Sequence, residues 1–188
     1  MNTKFFTEEH ESFRQSLKDF LHKEVVPHIE KWEKTGTIER FIWKKFGDMG
    51  FFGIAYPEAY GGLNLDLFYT VIFLEELQKI KSSGFAAAMW AHSYLAMTHL
   101  NAEGNERIKQ DYLAPSIAGE KIGALCISEP FGGSDVAGMK TTATKSGGAF
   151  RKVRARRKKM KRLKGFFNRT SRTRTRRKRV PAIFKTAS

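Results

Sequence analysis

Cysteine is almost absent from this 188-residue chain. Cys126 stands alone, which excludes a disulfide framework and a cysteine-rich zinc cluster and points to a reducing compartment. No apolar run approaches the ~20 residues needed to cross a bilayer. The most apolar stretch, residues 85–97, contains His92 and Ser93 and reads as a buried core helix. The first ten residues lack the basic start and apolar run of a secretory signal. Glu8 and Glu9 make them too acidic for a transit peptide, so a cytoplasmic location is expected. Acidic residues are missing from one region: residues 151–188 hold 18 of the 34 Lys and Arg and none of the 19 Asp and Glu. The net charge of +15 therefore joins a body of −3, with 16 basic and 19 acidic groups in residues 1–150, to a tail of +18. A hydrophobic content of 41% with 13% aromatics is enough to fill a core and excludes wholesale disorder.

The first 120 residues carry helical patterning. Thr7 is placed to cap a helix whose first turn holds Glu8 and Glu9, where negative charge is favoured. Phe13, Leu17, Phe20, Leu21 and Val25 follow as one apolar stripe, and Pro27, lacking an N–H, is expected to kink or end that helix. Ile29 and Trp32 resume the pattern before the Thr35-Gly36-Thr37 break. A short helix with Ile42, Phe46 and Met49 stops at Gly50, and Gly61-Gly62 marks a turn. Residues 66–80 read as an amphipathic helix with Leu67, Val71, Leu74 and Leu77 on its apolar face. Glu75 and Glu76 beside them are expected to be solvated or capping charges. Residues 85–100 are apolar almost all round, as in a central helix, with His92 and His99 expected as satisfied core histidines. A last short helix covers residues 106–114, where Pro115 should halt it.

The period then changes. Residues 122–128 form a short apolar run suited to a buried strand, and residues 139–144, with β-branched Thr141 and Thr142, read as a second. Helices followed by strands indicate an α+β chain rather than alternating βαβ units. Between the two strands lies Ser128-Glu-Pro-Phe-Gly-Gly-Ser-Asp135, a proline turn and two glycines flanked by hydroxyls. Glycines admit a ligand close to main-chain N–H groups, and Ser128 and Ser134 each offer a hydroxyl. A loop shaped only for its own turn is the alternative on composition alone. Neither the Gly-Lys-Ser/Thr ending of a Walker loop nor a G-x-G-x-x-G fingerprint is present there. Cys126 reads as a small buried hydrophobe.

The run Leu125-Cys-Ile-Ser-Glu-Pro-Phe-Gly-Gly-Ser-Asp135 resembles the flavin-contacting signature of the acyl-CoA dehydrogenases. Tyr56-Pro-Glu-Ala-Tyr-Gly-Gly62, Glu75-Glu76-Leu77, the helix with His92, Gly104-Asn-Glu-Arg107, Tyr112-Leu-Ala-Pro115 and Gly119-Glu120 agree with that family in order and spacing. The resemblance spans about residues 3–145. It implies an N-terminal all-α helical bundle domain over residues 1–120 and the first strands of an incomplete flavin-binding β domain over 121–147, followed by a disordered basic tail over 148–188. Matched residue by residue, it sets Leu125, Cys126, Ile127, Ser128, Glu129, Pro130, Phe131, Gly132, Gly133 and Ser134 against FAD. Ser128 takes the place of the hydroxyl near the flavin ring, Ser134 that of a serine that helps hold the acyl-CoA, and Glu129 is expected to support the loop. The implied activity is FAD-dependent α,β-dehydrogenation of fatty acyl-CoA thioesters in a homo-oligomer reoxidised by an electron-transfer flavoprotein.

The resemblance stops after Lys145. Family members continue with further strands, a second flavin-contacting segment bearing a Trp, and a C-terminal helical domain that brings the catalytic glutamate. This chain reads Ser146-Gly-Gly-Ala-Phe-Arg-Lys-Val-Arg154 instead. The implied state is a fragment with no catalytic base of its own, inactive by itself and with apolar patches left exposed. The tail has three readings: a non-specific nucleic-acid arm, an arm for anionic lipid surfaces, or an out-of-frame continuation of a truncated gene. The third is preferred, because the break falls inside a motif-rich domain rather than at a linker.

Overall fold

The computed structural model describes residues 5–130, 132–146 and 149–153. They fall into two compact units, a helical one through Leu125 and a second one from Cys126 onward.

In the helical unit, α1 (Glu8–Phe20) starts at Thr7, whose hydroxyl accepts from the His10 amide while His10 Nδ1 accepts the Thr7 N–H at 3.0 Å. This is a capping box with histidine in the place usually taken by Glu or Gln. The chain then passes through a π-helical turn (Leu21–Val25) and a 3-10 turn (Val26–His28) into α2 (Ile29–Thr35). Pro27 thus redirects the helical path without ending it. The next helix, α3 (Arg40–Asp48), buries Ile42, Trp43 and Phe46 but leaves Met49 half exposed.

Asp66 caps α4 (Leu67–Lys79), which packs on α1. Its buried face is Thr70, Ile72, Phe73, Glu76 and Leu77; Leu67 is 72% exposed, so the core face is rotated from the expected stripe. Phe73 fixes that rotation by packing on Phe46 and Phe51. Glu76 is buried rather than solvated, and it is held by Arg14 at 3.0 Å and Lys79 at 2.6 Å.

A continuous helical path follows: α5 (Ser83–Trp90), a π-helical turn (Ala91–Ala96) and α6 (Met97–Glu103). The extra residue of a π turn shifts the facing register. His92 stays in the core there, and His99 is exposed, contrary to expectation. After α7 (Glu106–Ile108) and a π turn (Lys109–Leu113), Pro115 sits in the first turn of α8 (Ala114–Ile117). It does not halt the helical path, which runs on without a break from the π turn through Leu113.

Described strands occur only in the second unit. There β1 (Thr142–Ser146) pairs antiparallel with β2 (Ala149–Val153), Thr142 opposite Val153. The strand expected at 139–144 therefore starts later, and β2 lies beyond the boundary drawn for the tail at 148. Residues 122–128 form no strand: no described neighbour pairs with them. The rest of the tail, residues 154–188, lies outside the described residues.

Candidate functional site

The loop that follows Ser128 is built around Glu129. Its amide donates to Gly132 O at 2.9 Å and its carbonyl accepts the Gly132 N–H at 3.3 Å, which closes the proline turn. Its carboxylate accepts the amides of Lys140 at 2.9 Å and Thr141 at 2.8 Å, tying both ends of the loop together. Asp135 accepts the Gly138 amide at 2.9 Å and holds the second bend. Glu129 is therefore the supporting residue that its place in the motif suggested.

Ser128, Ser134, Pro130 and Gly133 are exposed, and Gly132 is partly so; Phe131 lies outside the described residues. Neither Gly132 nor Gly133 has a positive φ. A Cβ added at Gly133 would meet nothing within 4 Å, and at Gly132 only Asp135 O at 3.5 Å. Among the described residues, neither backbone conformation nor crowding demands the glycine pair.

The segment leading into the loop has no regular secondary structure. Ala124, Cys126, Ile127 and Ser128 are exposed and Leu125 is half-buried. Cys126 is thus exposed and not the buried hydrophobe expected, its run having no partner strand among the described residues. No main-chain hydrogen bond joins residues 124–128 to other described residues, so their N–H and C=O groups are available to a ligand.

Upstream, the chain is pinned. His92 is fully buried, packed edge-on against Trp43 and Phe52 at 5.4 and 4.5 Å between ring centres. Its Nδ1 accepts the Gly123 amide at 3.0 Å, which leaves the proton on Nε2 to donate to Ser116 O at 3.1 Å. Burial pushes the imidazole down to about 4, so it is neutral at pH 7. Sequence reasoning placed His92 in the core, as found, but missed Gly123 as its partner; a buried histidine needing two partners was the available signal.

No carboxylate of the helical unit is free for proton abstraction on the α4 face. Burial works to raise Glu76, but the hydrogen bonds from Lys79 and Arg14 outweigh it and hold the carboxyl below its usual range. Glu75 is paired with Arg14 at 2.6 Å. Among the described residues no group of three or more His, Cys, Asp or Glu is placed to hold a metal ion, and no helix is long and apolar enough to cross a membrane.

Residues 7–120 match the model of the acyl-CoA dehydrogenase N-terminal domain, and the chain belongs to the acyl-CoA dehydrogenase family. It is 35% identical over 144 residues to the long-chain specific acyl-CoA dehydrogenase of Sus scrofa mitochondria, covering 77% of this chain and 33% of that one. To the mitochondrial isovaleryl-CoA dehydrogenase of Arabidopsis thaliana it is 39% identical over 140 residues, 73% of this chain and 34% of the other. The acyl-CoA dehydrogenase structure from Geobacillus kaustophilus superimposes with a TM-score of 0.73 at 38% identity, covering 79% of this chain and 39% of its own. The Bacillus anthracis enzyme, solved in complex with FAD, gives 0.68 at 33% identity over 76% of this chain and 24% of its own. The chain thus spans about a third of the length of the curated relatives it matches.

Proposed function

We propose that the loop from Leu125 to Ser134 is the flavin-facing segment of an FAD-dependent acyl-CoA dehydrogenase, and that residues 121–147 begin its β domain. The observation that carries this reading is the open ground around Gly133, where neither a positive φ nor an atom of the other described residues excludes a side chain. An exposed hydroxyl on either side and unbonded main-chain groups along residues 124–128 are the donor set that a flat, hydrogen-bonding cofactor with a phosphate arm requires, so the residues fit FAD. When bound, FAD supplies the two-electron acceptor for converting an acyl-CoA thioester to its α,β-enoyl product. Ser128 and the main chain on either side of it orient the cofactor ring. Ser134 donates toward the acyl-CoA, and Glu129 keeps both hydroxyls in register by holding the loop ends. Electron-transfer flavoprotein as reoxidant and homo-oligomeric assembly belong to the same proposal, as does residence in a reducing compartment such as the cytoplasm, which the single exposed Cys126 suits.

No glutamate of this chain is given the role of base, so the 188 residues alone should not turn over acyl-CoA. The test is to purify the chain, record its visible spectrum and assay acyl-CoA oxidation with an artificial acceptor. Weak or absent flavin retention on purification and no turnover are expected; stoichiometric FAD with sustained turnover would overturn the assignment of catalysis to residues outside this chain.

A second reading rests on the 18 cations and no anions of residues 151–188: non-specific binding of nucleic acid. It predicts affinity that falls by about tenfold or more between 50 and 200 mM salt and vanishes when the tail is deleted. Salt-insensitive binding would remove it.

A further inference from the structure

We propose that His92 is a positioning residue for the flavin-facing segment, fixing the point at which the chain leaves the helical unit. This inference rests on the function proposed above, and it is carried by the order of anchors along residues 116–129. Ser116 O is bound by His92 Nε2 at 3.1 Å. Gly119, at φ +72, packs so tightly that a Cβ there would lie 2.0 Å from Trp43 O. Glu120 O accepts from Arg40 at 2.7 Å, and the Lys121 ammonium donates to Asp111 O at 2.5 Å. The Gly123 amide then donates to His92 Nδ1 at 3.0 Å.

After Gly123 no main-chain hydrogen bond to a described residue occurs until Glu129. Gly123 is therefore the last residue held by a main-chain hydrogen bond before the flavin-facing segment that begins at Leu125. One ring holds both ends of the pinned segment, because a single imidazole faces Ser116 on one edge and Gly123 on the other. The close fit is set by Gly123 itself, where a Cβ would come within 2.8 Å of Ala96 Cβ. Only the tautomer with its proton on Nε2 can serve both partners, since a main-chain amide requires a lone pair on Nδ1. No charged side chain is among the recorded contacts of the ring: Trp43 and Phe52 flank it, and main-chain groups take both nitrogens.

Two variants separate positioning from mere packing. His92→Leu keeps much of the volume and removes both hydrogen bonds; His92→Gln retains one donor and one acceptor. Flavin-fluorescence titration with FAD, at about 0.3 M salt to screen the cationic tail, gives the dissociation constants, and amide exchange reports on Gly123. The Leu variant is expected to exchange at Gly123 about tenfold faster and to weaken FAD binding by a similar factor, with Gln recovering most of both. In the wild type, nitrogen NMR should find Nδ1 unprotonated and scalar-coupled to the Gly123 amide, a readout that stands even if the Leu variant does not fold. Equal FAD affinity in all three proteins, or a proton on Nδ1, overturns the role of His92 alone. If FAD binds none of them, the flavin reading falls and this inference with it.

Discussion

Acidification from pH 7 to pH 5 should weaken the helical unit, and replacing His92 by Gln should remove a calculable share of that loss. The imidazole titrates at about 4 in the folded chain and near 6.5 when unfolded, because burial penalises its charged form. Between those values the unfolded chain binds the extra proton. The stabilisation is therefore complete above pH 6.5 and declines as pH falls toward 4. The whole shift is equivalent to about 3 kcal/mol, of which about 2 kcal/mol is lost between pH 7 and pH 5. The carboxyls of Glu76 and Asp66 are also held below their usual values of 4.5 and 3.8, so their contributions fade only at lower pH. Every other titrating group is common to the two proteins and cancels in their difference. Urea unfolding followed by far-UV circular dichroism at pH 7, 6 and 5 measures that difference directly. The wild type should lose about 2 kcal/mol more than His92→Gln, equivalent to a midpoint difference on the order of 8 °C on heating. Stability curves that run parallel with pH would show that the ring is not buried neutral, and the reasoning would fail.

Other perturbations test separate parts of the structure. Arg14→Met leaves the buried Glu76 with Lys79 as its partner and should cost about 2 kcal/mol by chemical denaturation; a change below about 0.5 kcal/mol would refute the α1–α4 clamp. Gly119→Ala forces a Cβ to within 2.0 Å of Trp43 O at a left-handed φ and should destabilise by on the order of 3 kcal/mol, visible as a lower thermal midpoint. Glu129→Ala frees the amides of Lys140 and Thr141, which should then exchange at least about tenfold faster, while helical circular dichroism stays unchanged. Unchanged exchange would mean that the loop is held by other contacts.

The parts of the fold written in local sequence were legible. The stripe of Phe13, Leu17, Phe20, Leu21 and Val25, which runs from α1 into the π-helical turn, and the Thr7 cap depend on residues within a turn or two of each other, and both stand as expected, with Phe13 partly buried. The face of α4 was not legible, because residues 67–74 are apolar or aromatic but for Thr70, and no period singles out Phe73 over Val71. Glu76 was misread for a different reason: the guanidinium that makes its burial tolerable belongs to Arg14, far away in the chain. Pro115 was expected to halt a helical path that in fact runs on through it, directly after a π-helical turn whose altered hydrogen bonding no residue pattern announced. A strand depends on its neighbours, so the apolar run at 122–128, with no described partner, forms no strand and leaves Cys126 exposed. The candidate site was readable as a motif because its residues are contiguous. The open space at Gly133 and the anchoring of Gly123 by His92 were not, as both depend on what surrounds the chain in three dimensions.

The most direct test of the central claim is an amide NMR map of the whole chain on adding FAD, at about 0.3 M salt to screen the cationic tail. Shifts concentrated between Leu125 and Ser134, with isoalloxazine protons giving contacts to Ser128, are the outcome this account requires. Shifts that leave residues 125–134 untouched would contradict it.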